Sequence, residues 1–185
     1  MNLSVLPSNL PIPENDGGCK HLIKKIIPDI ALPNQEGKYL KLRRYDSFRI
    51  ILYCYPMTGN PEMTLPPNWD DIPGARGCTP QTCSFRDHYE DLVKYNAIPI
   101  GLSTQQVPEL KEMVTRLKVP YDVVSDCDLK ITNLMNLPTF KIGEKVFIKR
   151  LTLIIEKSII KKVFYPIFPS DLHIKDVLNW LKTNL

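Results

Sequence analysis

No apolar run in this chain of 185 residues approaches the ~20 residues that a membrane-spanning helix needs. A helical span is therefore excluded, and the longest apolar runs are strand-sized. Met1 to Leu10 has neither a basic start nor a long apolar stretch, so no signal peptide and a cytoplasmic location are expected. Charge of one sign is not clustered either. Lys and Arg (24) are interspersed with Asp and Glu (20), and the net charge is only +4. That balance gives no grip on nucleic acid or on a membrane surface. The three histidines, His21, His88 and His173, are scattered and form no metal set. There is no C-x-x-C pair, no internal repeat and no low-complexity tract. Five cysteines, an odd number, argue against a secreted disulfide framework. In a reducing compartment they are catalytic, metal-binding or buried.

Proline, by contrast, is abundant at 17 residues, gathered near the N-terminus and in residues 56–80. Both regions should be loop-rich. Residues 1–22 read as an extended arm, and residues 23–185 as one domain of a size that buries its own core. Residues 23–42 look like two short strands around a turn at residues 33–37, an N-terminal hairpin. Residues 49–55, R-I-I-L-Y-C-Y, suit a strand buried on both faces. Further strands are expected at 98–102, 119–124, 150–155 and 159–164. Helical patterns lie between them: Phe85, Tyr89 and Leu92 on one face, then 108–117, 126–135 and 171–181. Ser103 or Thr104 would cap the second of these helices. Alternating strands and helices imply parallel strands with right-handed crossovers. The short link at Glu156-Lys157 makes the last pair antiparallel. The fold class is α/β, a mixed central sheet flanked by helices.

Residues 56–77 are too many for a routine connection between strand and helix. They deliver the chain to Cys78, in the run Gly77-Cys-Thr-Pro-Gln-Thr-Cys83. Thr79-Pro80 suits a helix start, so Cys78 sits where unpaired backbone N–H groups and the helix dipole favour thiolate over thiol. Residues five apart in a regular helix have Cα atoms roughly 8.6 Å apart. A disulfide needs about 4.4–6.8 Å. If Cys78 and Cys83 bond, the helix must unwind locally. The spacing alone leaves redox and packing readings open, and C-x4-C is poor zinc spacing.

Several motifs in order resemble one family. They are the strand ending in Tyr55-Pro56, the Gly-Cys-Thr-Pro-x-x-Cys segment with Phe-Arg-Asp after it, Gly101-Leu-Ser-Thr104 and Val123-Val-Ser-Asp126. Together they are similar to a peroxiredoxin of the peroxiredoxin Q, or bacterioferritin-comigratory, class. The resemblance runs from about Ile26 to the C-terminus. It implies a thioredoxin-like fold and thiol-dependent reduction of hydrogen peroxide and organic hydroperoxides, with no metal, haem or flavin. It makes Cys78 the peroxidatic nucleophile and Cys83 the resolving thiol, joined in a redox disulfide that thioredoxin or glutaredoxin reduces. Arg150, at the start of a late strand, matches the arginine that the family sets beside the thiolate. The class is often monomeric, so a monomer or weak dimer is expected.

One departure stands out. The family pattern places a hydroxyl three residues before the nucleophile and a proline seven before it. Here those positions are Ala75 and Asp71. Thr58, directly after the strand and Tyr55-Pro56, is the candidate replacement, with Thr64 or Arg76 as alternatives. Two other readings remain: a redox sensor or binding module that has lost peroxidase power, and a general thiol-disulfide oxidoreductase. Cys54 reads as buried and inert, Cys127 as a packing residue, and Cys19 as a residue on a flexible arm.

Overall fold

Ala31–Pro33 (β1) and Tyr39–Lys41 (β2) pair antiparallel around a turn. Asn34 builds that turn: its Oδ1 accepts from the backbone N–H groups of Glu36 and Lys38, both at 3.0 Å. This is the expected N-terminal hairpin. These features come from a computed structural model of the chain that describes Leu3, residues 6–45 and residues 47–184. Residues 1, 2, 4 and 5 of the arm predicted over 1–22 lie outside the described residues.

Arg49–Cys54 (β3) is the central strand of the main sheet. On one side it pairs in parallel with Ala97–Ser103 (β4), and β4 with Val123–Ser125 (β5). The chain then makes a small separate hairpin, Thr139–Ile142 (β6) with Lys145–Ile148 (β7). It returns as Leu151–Glu156 (β8), antiparallel to β3, and Ile159–Phe164 (β9), antiparallel to β8. The order is β5-β4-β3-β8-β9, a mixed thioredoxin-like sheet. Successive residues of β3 alternate between two cores, as a pleated strand requires. Ile50, Leu52 and Cys54 join Leu22, Ile27 and Ile131 on one face. Ile51 and Tyr53 join Phe85, Met113 and Val177 on the other. A strand walled in on both faces must be apolar throughout, and that is why its sequence shows no alternation.

The helices are Cys78–Asp87 (α1), Tyr89–Lys94 (α2), Val107–Leu117 (α3), Lys130–Met135 (α4) and His173–Thr183 (α5). Where one helical pattern was expected over Phe85 to Leu92, the chain breaks at His88 into α1 and α2. The cap of α3 is neither Ser103 nor Thr104. Gln106 occupies it, its backbone N–H donating to Glu109 Oε2 at 2.8 Å. The strand expected from residue 119 begins at Val123, because Lys118 turns left-handed (φ 53°) to close α3. Among the described residues no helix is long and apolar enough to cross a membrane.

The long loop over residues 56–77 is packed against the β6–β7 hairpin. Trp69 meets Phe147 edge-on, with centroids 5.2 Å apart, and lies 6.0 Å from Phe140. Ala75, fully buried, completes this small aromatic cluster. The hairpin was not read from the sequence, and it is what gives the loop a floor. The N-terminal segment is also pinned. Asp16 accepts from Lys149 Nζ at 2.7 Å and from the Tyr165 hydroxyl at 2.8 Å. Those bonds, the Lys149 one foremost, hold its carboxyl well below the usual carboxylate range.

Candidate active site

Helix α1 starts at Cys78 because Gly77 lets the chain turn into it. Gly77 has φ 103°, and a Cβ there would collide with Ser170 Oγ. That hydroxyl donates to the Gly77 carbonyl at 2.9 Å, locking the entry. Pro80 falls in the first turn, where a missing N–H costs nothing. The Gln81 N–H donates to the Gly77 carbonyl at 3.1 Å. The N–H groups of Cys78 and Thr79 precede any intrahelical acceptor and add to the positive end of the helix.

Arg150 meets this helix start from the opposite side. It directly precedes β8 and is 3 % exposed, so it is no surface arginine. Its Nη2 lies 3.1 Å from Cys78 Sγ as donor. The same nitrogen is within reach of the carbonyls of Gly74 (3.2 Å), Ala75 (3.3 Å) and Arg76 (3.1 Å). Nη1 donates to Gln81 Oε1. A buried charge needs such partners. Here they also fix the guanidinium against the sulfur. Arg150 Nε and Gln81 Nε2 are buried with no hydrogen-bond partner among the described residues.

Cys78 itself is 2 % exposed, and its Sγ also lies 3.5 Å from the Ala75 carbonyl. Beside it is a space of only about 10 Å³, walled by Leu3, Met57, Leu65 and Trp69. That volume matches about one water-sized molecule. Cys83 lies five residues on in the same unbroken helix, half-buried, and both thiols are free. Burial raises the Cys83 pKa, with Arg86 and Arg116 pulling against it.

Thr58 is not brought to Cys78. Its hydroxyl donates to Gln105 Oε1 at 3.1 Å, its N–H to the same oxygen at 2.9 Å, and Gln105 Nε2 returns a bond to its carbonyl at 3.2 Å. Met57, Gly59 and Leu65 line both the space beside Cys78 and the neighbouring one that Thr58 shares with Gln105. The Thr58 hydroxyl is thus engaged by Gln105, and among the described residues it has no bond to Cys78 Sγ. Thr64 is exposed, and the Arg76 guanidinium pairs with Asp70 at 3.3 Å.

The other cysteines stand apart. Cys54 is buried in the sheet core. Cys127 is half-buried in the turn before α4. Cys19 is not on a flexible arm: it is 4 % exposed, and burial pushes its pKa up to about 12. His173 is one of the three histidines scattered through the sequence. It is buried, with Nε2 3.0 Å from Thr152 Oγ1, two residues beyond Arg150. Gln81, Thr82 and Tyr121 were not singled out either, since nothing in their local pattern marks them.

The AhpC/TSA family model matches residues 72–163, a span that holds Cys78, Cys83 and Arg150. The chloroplastic peroxiredoxin Q of Arabidopsis thaliana is 30% identical over 156 residues, 84% of this chain. The chain spans 64% of that relative's length. The chain belongs to the AhpC/TSA peroxiredoxins. Another relative, the chloroplastic peroxiredoxin Q of Gentiana triflora, is 27% identical over 183 residues, covering 96% of this chain and 76% of its own. Solved peroxiredoxins share the fold. Peroxidoxin BcpB from Mycobacterium tuberculosis superposes with a TM-score of 0.73 at 22% identity, over 88% of this chain and 97% of that one. Xanthomonas campestris peroxiredoxin Q gives 0.71 at 18% identity, over 89% and 98%.

Proposed function

We propose that this peroxiredoxin is a thiol-dependent peroxidase of the atypical two-cysteine type. The observation that carries the reading is the buried Arg150 guanidinium, 3.1 Å from Cys78 Sγ at the start of α1. A fixed cation and a helix N-terminus both favour thiolate, the reactive form. The Cys78 thiolate attacks one peroxide oxygen. The O–O bond breaks, the sulfur becomes sulfenic acid, and the other oxygen leaves as water or alcohol after taking a proton. Cys83 then displaces the sulfenic hydroxyl: an S–S bond forms, the S–O bond breaks, and the Cys83 proton leaves with the hydroxyl as water. A thioredoxin- or glutaredoxin-type dithiol reduces that disulfide.

The roles assigned are Cys78 as peroxidatic nucleophile, Cys83 as resolving thiol and Arg150 as stabiliser of the thiolate and of charge on the leaving oxygen. The substrates are hydrogen peroxide and organic hydroperoxides. The Xanthomonas campestris bacterioferritin comigratory protein has alkyl peroxide reduction activity, which supports the second class. The working unit is one domain preceded by the N-terminal arm, acting as a monomer or weak dimer. Five free cysteines suit a reducing compartment, cytoplasmic in this reading, although the plant relatives are chloroplastic. Stopped-flow tryptophan fluorescence on mixing the reduced protein with hydrogen peroxide tests the assignment. Cys78→Ser should abolish the fast phase, and a variant as fast as the native chain would end it.

Ala75 favours a second reading, a redox sensor. The position where the family pattern sets a hydroxyl carries a methyl group facing Trp69 and Phe147. A second-order rate with peroxide no faster than that of a free thiol would select it.

A further inference from the structure

Cys78 and Cys83 share one intact helix, so the disulfide requires residues between them to leave helical geometry. What holds that stretch sets how fast it opens. Ties at two residues inside it reach outside α1. Gln81 is bonded to Arg150, part of the site already described. Thr82, next to Cys83, is held by two tyrosines. The Tyr121 hydroxyl donates to the Thr82 carbonyl at 3.1 Å. The Tyr53 hydroxyl lies 3.4 Å from Thr82 Oγ1 and 3.2 Å from the Tyr121 hydroxyl.

All three groups are buried: Thr82 and Tyr53 fully, Tyr121 at 7 % exposure. They come from three elements, namely α1, the central strand β3 and the turn before β5. The rings are braced as well. Tyr53 stacks on Phe85 with centroids 4.5 Å apart, and Tyr121 on Tyr89 at 6.0 Å. Among the described residues neither tyrosine hydroxyl bonds to a cysteine sulfur, so the pair touches the helix and not the reacting atoms.

We infer that Tyr121, supported by Tyr53, is a positioning residue for the resolving step: its bond to Thr82 clamps the part of α1 that must unwind before Cys83 reaches Cys78. Breaking the clamp speeds condensation of the Cys78 sulfenic acid with Cys83 and leaves the first attack on peroxide alone. The clamp also keeps Cys83 in the half-buried setting that disfavours its thiolate. While the clamp holds, the sulfenic acid is open to a second peroxide, which converts it to sulfinic acid and leaves as water or alcohol. The inference rests on the peroxidase reading above.

The test compares the native chain with Tyr121→Phe and Tyr53→Phe, which keep the rings and remove single hydroxyls. Reduced protein is mixed with hydrogen peroxide, and tryptophan fluorescence separates oxidation of Cys78 from disulfide formation. For Tyr121→Phe the second phase should be about 2- to 10-fold faster, the range set by losing one hydrogen bond. The first phase should be unchanged within about twofold, and the sulfinic product seen by mass spectrometry should fall. Tyr89→Phe, which keeps both clamp hydroxyls, should leave the second phase as it is. An unchanged or slower second phase in Tyr121→Phe overturns the inference. Should Tyr121→Phe not fold, Tyr53→Phe carries the same comparison. Hydrogen exchange on the reduced proteins reads the clamp without peroxide: α1 amides should lose protection in Tyr121→Phe while β3 and β4 keep theirs, and equal α1 protection also overturns it. A native chain with no fast phase defeats the peroxidase reading instead, and the exchange result still decides the clamp.

Discussion

Arg150 Nη2 lies 3.1 Å from Cys78 Sγ, and the two are joined twice over, because Arg150 Nη1 also grips Gln81 three residues into the same helix. The arginine is thus held by the helix whose first residue it contacts. A planar fork does this and an ammonium does not. Arg150→Lys should keep the charge, lose the fork and lower the second-order rate with hydrogen peroxide by about 10²- to 10³-fold. Stopped-flow rates on the reduced variant check it. A rate within about threefold of native would remove Arg150 from the mechanism.

Thr58 and Gln105 form a closed pair, with three bonds between them. Thr58→Val removes one of those bonds and leaves the others. Stability should fall by about 0.5–1.5 kcal/mol in urea unfolding. The peroxide rate should stay within about twofold of native, since the altered hydroxyl bonds to Gln105 and not to Cys78. A large loss of rate with unchanged stability would return Thr58 to the catalytic group.

How far the sequence carries the reader depends on where each signal is stored. The central strand was legible because burial on both faces leaves a continuous apolar run, Ile50 to Tyr55. The helix start at Cys78 was legible because glycine and proline each have a local geometric meaning, and Gly77 and Pro80 use theirs. Arg150 was found through the family's motif order, and its contacts lie 72 residues away in sequence. The bond from Thr58 to Gln105 is not legible, because adjacency to Tyr55-Pro56 says nothing about which partner a side chain meets within a long loop. Tyr121 and Gln81 were silent for a related reason. Each bonds to something distant, and no periodicity records a hydroxyl or amide meeting another element.

Ala75 is fully buried between the loop and the β6–β7 hairpin, within the Trp69 and Phe147 cluster. Restoring the family's hydroxyl by Ala75→Thr therefore adds a β-branched polar side chain to a packed apolar wall. Unfolding free energy should drop by about 1–3 kcal/mol. Equilibrium denaturation of the reduced protein measures it. A neutral or stabilising effect would mean that the methyl faces usable space, and that the departure at Ala75 has no packing cause.

His173 is 2 % exposed at the start of α5, facing Thr152, Asp176, Phe85, Phe164 and, more distantly, Arg150. Burial is the main reason its pKa falls from the ordinary 6.5 to about 4; Asp176 opposes the fall and Arg150 adds to it. The folded chain thus keeps the imidazole neutral where the unfolded chain would protonate it. Between pH 6.5 and about 4 the unfolded state binds more protons, so stability declines as the pH is lowered through that window. Asp16, whose pKa is lowered from 3.8, acts mainly below that window. His173→Gln keeps a group able to bond Thr152 but cannot titrate. Its stability at neutral pH should be lower through repacking, yet its slope between pH 6.5 and 4 should be visibly flatter. Urea unfolding at several pH values on both proteins gives the two slopes. Parallel slopes would show that His173 takes up its proton without cost, and that the buried contacts with Thr152 and the two rings do not hold it neutral.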